Sequence, residues 1–132
     1  MAKTSRPRAK RAPARAPRLP SQIVAAIEAA QGRKATGGIV LDLRKTAAFT
    51  DYFLICTGAN ARQVHAIADA VEEALKAKNV RPTHVEGYQR AEWILLDYFD
   101  FVVHVFSTHA RQFYGLENLW GDATRIEIPD TP

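Results

Sequence analysis

Residues 52–78, YFLICTGANARQVHAIADAVEEALKAK, decide the fold. The run YFLICT is short, apolar and stopped by Gly58, which marks a buried strand. Beyond it the period changes. Val64, Ile67, Ala68, Val71 and Leu75 recur at three- and four-residue spacing, while Arg62, Asp69, Glu73 and Lys76 fall on other faces, so the spacing predicts an amphipathic helix over 60–78 with Asn60 as its cap. Residues 81–86 then read as another strand. A strand, a helix and a strand in succession imply a right-handed parallel crossover, hence a mixed sheet and an α/β fold.

Downstream, 92–97 and 101–106 are two apolar runs joined by Tyr98, Phe99 and Asp100, a three-residue connection that predicts an antiparallel hairpin. An aromatic-rich helix is expected over 108–119, and RIEI at 125–128 forms a short terminal strand. Upstream, Ser21 is the expected N-cap of a helix over 22–33 with Ile23, Ile27 and Ala30 on one stripe. After a Gly37-Gly38 turn, IVLDL reads as a strand. The expected architecture is a mixed β-sheet flanked by helices.

Charge divides the chain into two parts. Residues 1–20 hold seven basic residues (Lys3, Arg6, Arg8, Lys10, Arg11, Arg15 and Arg18) and no acid, leaving eleven basic and fourteen acidic residues in the body. The basic balance thus belongs to the tail, and the body is mildly acidic. With four prolines among alanines and arginines, residues 1–20 are expected to be disordered, and 21–132 to form a single domain. Arg6, Arg8, Lys10, Arg11, Arg15 and Arg18 are candidate RNA-phosphate contacts; a solubilising leader or an organelle transit peptide would also fit the composition. The lone cysteine, Cys56, lies in an apolar run and reads as a buried hydrophobe. No apolar stretch approaches the roughly twenty residues of a membrane span. The expectation is a soluble, cytoplasmic protein with no membrane association.

Catalytic motifs are lacking. His65, His84, His104 and His109 have no metal-site spacing, and His104 in VVHVF reads as a hydrogen-bonded strand histidine. Gly58 alone is a tight turn more readily than a phosphate cradle. Asp97 and Asp100 flank a turn, where carboxylates serve as turn formers and solvated charges. No metal or cofactor is expected, and the residues point to a binding protein. The segment 93–120, with Trp93 and Trp120 at its ends, is either a packed core or a docking face.

Four stretches, TDYFLICTGANARQVHAIADAVEEAL at 50–75, VEGY at 85–88, AEWILLDYFDFVVHVF at 91–106 and RQFYGLENLW at 111–120, resemble the ribosomal silencing factor family, also called Iojap, in the same order. The resemblance spans about 22–121. It implies a nucleotidyltransferase-like fold without catalytic residues, since Gly58 is followed by Ala59 rather than serine and Asp42 has no carboxylate two residues away. It also implies a translation repressor that binds the large ribosomal subunit through ribosomal protein fourteen at the intersubunit face and blocks joining of the small subunit when nutrients run short. A large-subunit assembly factor using the same surface is the alternative, and a residual nucleotide-binding enzyme is a further one.

Trp93 matches the family's tryptophan in the strand after the VEG motif, and Glu92, Ile94, Asp97 and Asp100 are expected to complete the docking surface. Tyr114, Leu116, Leu119 and Trp120 are expected to pack against the sheet instead. An exposed tryptophan patch would also let the free protein form a homodimer. Phe99 stands where the family commonly has glycine.

Overall fold

The computed structural model describes residues 18–131. The elements run α1 (Ser21–Gly32), β1 (Thr36–Asp42), β2 (Tyr52–Gly58), α2 (Ala61–Lys76), β3 (His84–Glu86), β4 (Trp93–Asp97), β5 (Phe101–Ser107), α3 (Thr108–Tyr114), a 3-10 helix (Leu116–Trp120) and β6 (Thr124–Ile128). The six strands form one mixed sheet in the order β3-β4-β5-β2-β1-β6. Among the described residues its only parallel pair is β2 with β5; β4 and β5 form the expected antiparallel hairpin. The strand after α2 is therefore not the neighbour of β2: β4 and β5 lie between them.

Strand alternation sorts the side chains into two cores. On one face Val40, Leu54, Cys56, Ile94, Leu96, Val103 and Val105 lie beneath Ile23, Ala26 and Ala30 of α1 and Val64, Ile67, Ala68, Val71 and Leu75 of α2. All five predicted apolar positions of α2 are fully buried, which is the burial that makes this helix part of the fold rather than a marginal isolated one. On the other face Ile39, Leu41, Leu43, Ile55 and Phe106 pack with Ala110, Leu116 and Trp120 from the C-terminal helices.

Local details follow from particular residues. The Asn60 side chain accepts the Gln63 backbone N–H at 2.9 Å, as its capping chemistry predicts. The Gln63 amide donates to the carbonyls of Arg33 and Lys34, both at 3.0 Å, and so ties the start of α2 to the end of α1. A Cβ on Gly58 would lie 2.9 Å from the Val64 backbone nitrogen, so this glycine serves the close approach of α2 to β2. Cys56 is buried, and burial pushes its thiol up to about 12, which removes it from thiolate chemistry.

Several boundaries differ from expectation. Pro20, not Ser21, occupies the α1 cap position, and its carbonyl accepts from Ile23 and Val24. Gly37 and Gly38 lie inside β1, where the pairing register shifts between Thr36 and Ile39. The single helix expected over 108–119 is broken at Gly115, whose left-handed backbone ends α3 before the 3-10 turn begins. Leu19 packs against the first core, so the body begins before residue 21. The rest of the tail expected to be disordered, residues 1–17 with Arg6, Arg8, Lys10, Arg11 and Arg15, lies outside the described residues.

Candidate docking surface

Trp93 starts β4 on the sheet face covered by α3, where it pairs with Phe106 of β5. Its indole lies 4.9 Å from the Phe106 ring and 4.8 Å from that of Tyr114, centroid to centroid. The ring is half-buried. Its N–H is already committed, donating to His104 Nδ1 at 3.0 Å. A partner can therefore gain area from this indole but not its hydrogen bond.

His104 is the residue that holds the indole. As an acceptor at Nδ1 its ring must carry the proton on Nε2, and that atom is buried without a hydrogen-bond partner. The ring meets Phe53 edge to face at 4.4 Å and lies near Phe106. Burial among these rings pushes the imidazole down to about 3, so it remains neutral. The expected strand histidine is thus hydrogen-bonded, through a partner the sequence did not name.

This has a consequence for stability. The unfolded chain takes up a proton on this histidine near pH 6.5, whereas the folded protein does so only near 3, so the contribution is complete above pH 6.5 and is lost as pH falls toward 3. At about 1.4 kcal/mol per pH unit, some 2 kcal/mol should disappear between pH 7 and pH 5. Urea-unfolding midpoints at both pH values check this. His104→Gln, whose amide oxygen can still accept from Trp93, should flatten the slope; an unaltered slope in that variant would assign it to other groups.

The remaining expected contacts do not gather around Trp93. Glu92 is adjacent and exposed, with its carboxylate 3.9 Å from the Arg90 guanidinium. Ile94 points to the opposite face and is fully buried under the helices, because alternate strand residues face opposite ways; it is removed from the docking surface. Asp97 shares Trp93's face but lies four residues along, about 13 Å away at the usual strand rise. Its carboxylate accepts the Phe99 backbone N–H at 2.8 Å and so shapes the turn. Asp100 is exposed in the same turn. Trp93 with Glu92, and Asp97 with Asp100, therefore mark two ends of one hairpin.

Two residues assigned to packing are instead exposed. Leu116 and Trp120 do pack on the second core, but Tyr114 is 50 % exposed and Leu119 72 %. Phe113, which the sequence reading passed over, is 72 % exposed and stands edge-on to Tyr114 at 5.0 Å. Phe113, Tyr114 and the open side of Trp93 make a continuous aromatic patch. Phe113 and Tyr114 are the last two residues of α3, which stops at the left-handed Gly115. Arg111 fixes the patch from behind: its guanidinium donates to Glu117 at 3.0 Å and to Thr57 of β2 at 2.9 Å.

Asp42, the lone carboxylate noted in the β1 sequence, stands away from this patch. Asp42 is gripped by Arg44, two residues on, through bonds of 3.0 and 2.8 Å, and that contact holds its carboxyl below the usual range. Among the described residues no group of three or more histidine, cysteine or carboxylate side chains could hold a metal ion. No helix among them is long and apolar enough to cross a membrane.

Fold and surface together define a mixed α/β domain that presents an aromatic patch and a separate acidic turn. A family model described as ribosomal silencing factor during starvation matches residues 16–132. The chain is 39% identical over 103 residues to the ribosomal silencing factor of Bacillus subtilis, covering 78% of this chain and 87% of that protein. It is 35% identical over 106 residues to the chloroplast protein Iojap of Zea mays, covering 80% and 46% respectively. A crystal structure of a Chromobacterium violaceum protein superposes with a TM-score of 0.74 at 37% identity, over 76% of this chain and 84% of that one. The chain belongs to the ribosomal silencing factor family.

Proposed function

We propose that this chain represses translation by binding the large ribosomal subunit through ribosomal protein fourteen and sterically blocking the small subunit, without chemistry of its own. The observation that carries this reading is the patch of Trp93, Tyr114 and Phe113 on a face that the domain's own helices leave partly open. Rigid aromatic anchors supply buried area at low entropic cost, the usual source of hot-spot energy. Glu92 at the patch, and Asp97 and Asp100 at the far turn, supply negative rims that complement a basic ribosomal protein and speed encounter. The basic residues of the tail add contacts to ribosomal RNA phosphates.

Sedimentation of purified subunits tests it. Saturating protein should shift joined ribosomes toward free subunits, with the protein travelling with the large one. Unchanged joining at saturation would defeat the proposal.

A further inference from the structure

The sheet edge farthest from β3 carries a hollow of about 610 Å³, within the roughly 300–1,000 Å³ of small-ligand sites. Both signs of charge line it: Arg111 of α3, Arg125 and Glu127 of β6, and Asp130 just beyond that strand. Glu127 pairs with Ile39 and Arg125 with Leu41 of β1, so the two share the face that α3 covers. Arg111 is held in place, its side chain 15 % exposed. A guanidinium has five N–H groups, and the bonds to Glu117 and Thr57 use two of them here, leaving three. Its approach to β1 relies on a glycine, since a Cβ on Gly37 would lie 3.3 Å from Nη1. Gly37, left-handed at φ of 59°, donates its N–H to Asp130 Oδ1 at 3.0 Å, and Gln31 anchors the neighbouring Pro129 carbonyl at 3.2 Å. Among the described residues, Asp130 Oδ2, the Arg125 guanidinium and the Glu127 carboxylate have no hydrogen-bond or ion-pair partner.

We infer that this hollow binds a small zwitterion of the free α-amino-acid type, its carboxylate on Arg111 and Arg125 and its ammonium between Glu127 and Asp130. The mixture of charges selects that class. A phosphate would meet the two guanidinium groups but also two carboxylates that repel it, and a simple cation would meet the reverse. Glu117 moreover balances Arg111 from behind, so a lone anion gains little net attraction. Only a ligand with both signs answers all four side chains. The guanidinium fork matches a carboxylate, and the three donors of an ammonium suit a pair of carboxylate acceptors. Ile39 and Ile128 add an apolar wall for the ligand's side chain. None of these residues belongs to the Trp93 patch or to the turn at Asp97 and Asp100, so the site does not depend on the silencing reading.

Amide shifts of the isotope-labelled full chain, recorded with each free L-amino acid at millimolar concentration, test it. At least one should move the amides of Gly37, Gly38 and Glu127 and leave those of β3 in place. Its N-acetyl derivative, which lacks the ammonium, and its carboxamide, which lacks the carboxylate, should each bind about tenfold more weakly or worse, as should inorganic phosphate. Arg125→Gln and Glu127→Gln, both at exposed positions, should each weaken binding about tenfold while the melting temperature stays near that of the wild type. No shift with any amino acid overturns the inference. So does equal binding of phosphate or the N-acetyl derivative, which would make this a plain anion site, or of the carboxamide, which would make it a plain cation site. Binding that survives both substitutions overturns it too. No ribosome enters these measurements, so failure here leaves the silencing reading standing, and failure there leaves this site standing.

Discussion

Gly87→Ala should lower the melting temperature by about 12 °C or more, the largest effect expected of any single methyl group in the domain. Gly87 directly follows β3 with φ of +76°, and a Cβ there would sit 2.0 Å from the carbonyl oxygen of Trp93. Two costs combine. The left-handed backbone costs an L-residue about 1–2 kcal/mol, and the clash is with main chain in the next strand, which cannot turn aside as a flexible side chain would. The loop cannot swing away either. His65 Nε2 donates to the Tyr88 carbonyl at 2.6 Å, the Tyr88 hydroxyl donates to Asp69 at 2.9 Å, and the Ala91 N–H returns to the Gly87 carbonyl at 3.2 Å. A total of about 3 kcal/mol or more follows for strain that the surroundings hold in place. Because the obstructed carbonyl belongs to Trp93, the same change should tilt the start of β4 and the aromatic patch with it. A melt within a degree or two of the wild type would mean that the 87–91 loop has freedom these bonds do not suggest.

How far the sequence revealed this molecule depended on whether the signal was local. The α2 stripe, the Asn60 cap and the 92–106 hairpin are written in spacing and turn chemistry within a few residues, and the structure reproduces them. Pairing partners are not local: nothing in the composition of β3 says that two strands separate it from β2, because the parallel neighbour of β2 is supplied by β5, on the far arm of the hairpin. Side-chain direction was legible in principle and misapplied at Ile94, since strand alternation alone places it opposite Trp93. For Tyr114, Leu116, Leu119 and Trp120 helical spacing suggested packing, but α3 ends at Tyr114 and a 3-10 turn follows Gly115, so one helical stripe does not run through all four: Leu116 and Trp120 pack inward while Tyr114 and Leu119 are exposed. The bond from Trp93 to His104 could not be read at all, as it joins residues eleven apart that meet diagonally across the hairpin, an approach that depends on one register.

That bond decides what Trp93→Ala should do. Read from sequence alone, the substitution would remove a docking anchor and leave the fold untouched. In the structure the indole packs on Phe106 and Tyr114 and satisfies a buried His104 nitrogen, so truncation should also cost stability, about 3 kcal/mol at the low end of the range for large aromatics because one side is open. The loss of binding should be separate and additional: about 2 kcal/mol or more, roughly a thirtyfold weaker affinity for the large subunit. Trp93→Phe divides the two. It keeps a ring on Phe106 and Tyr114 but leaves His104 Nδ1 unpaired, so stability should fall by about 1–3 kcal/mol while affinity falls much less than in the alanine variant. Affinities measured well below all three melting temperatures would then rank wild type, phenylalanine and alanine in that order. If alanine binds as wild type does while remaining folded, Trp93 serves only the core, and Phe113 and Tyr114 must carry whatever docking this face performs.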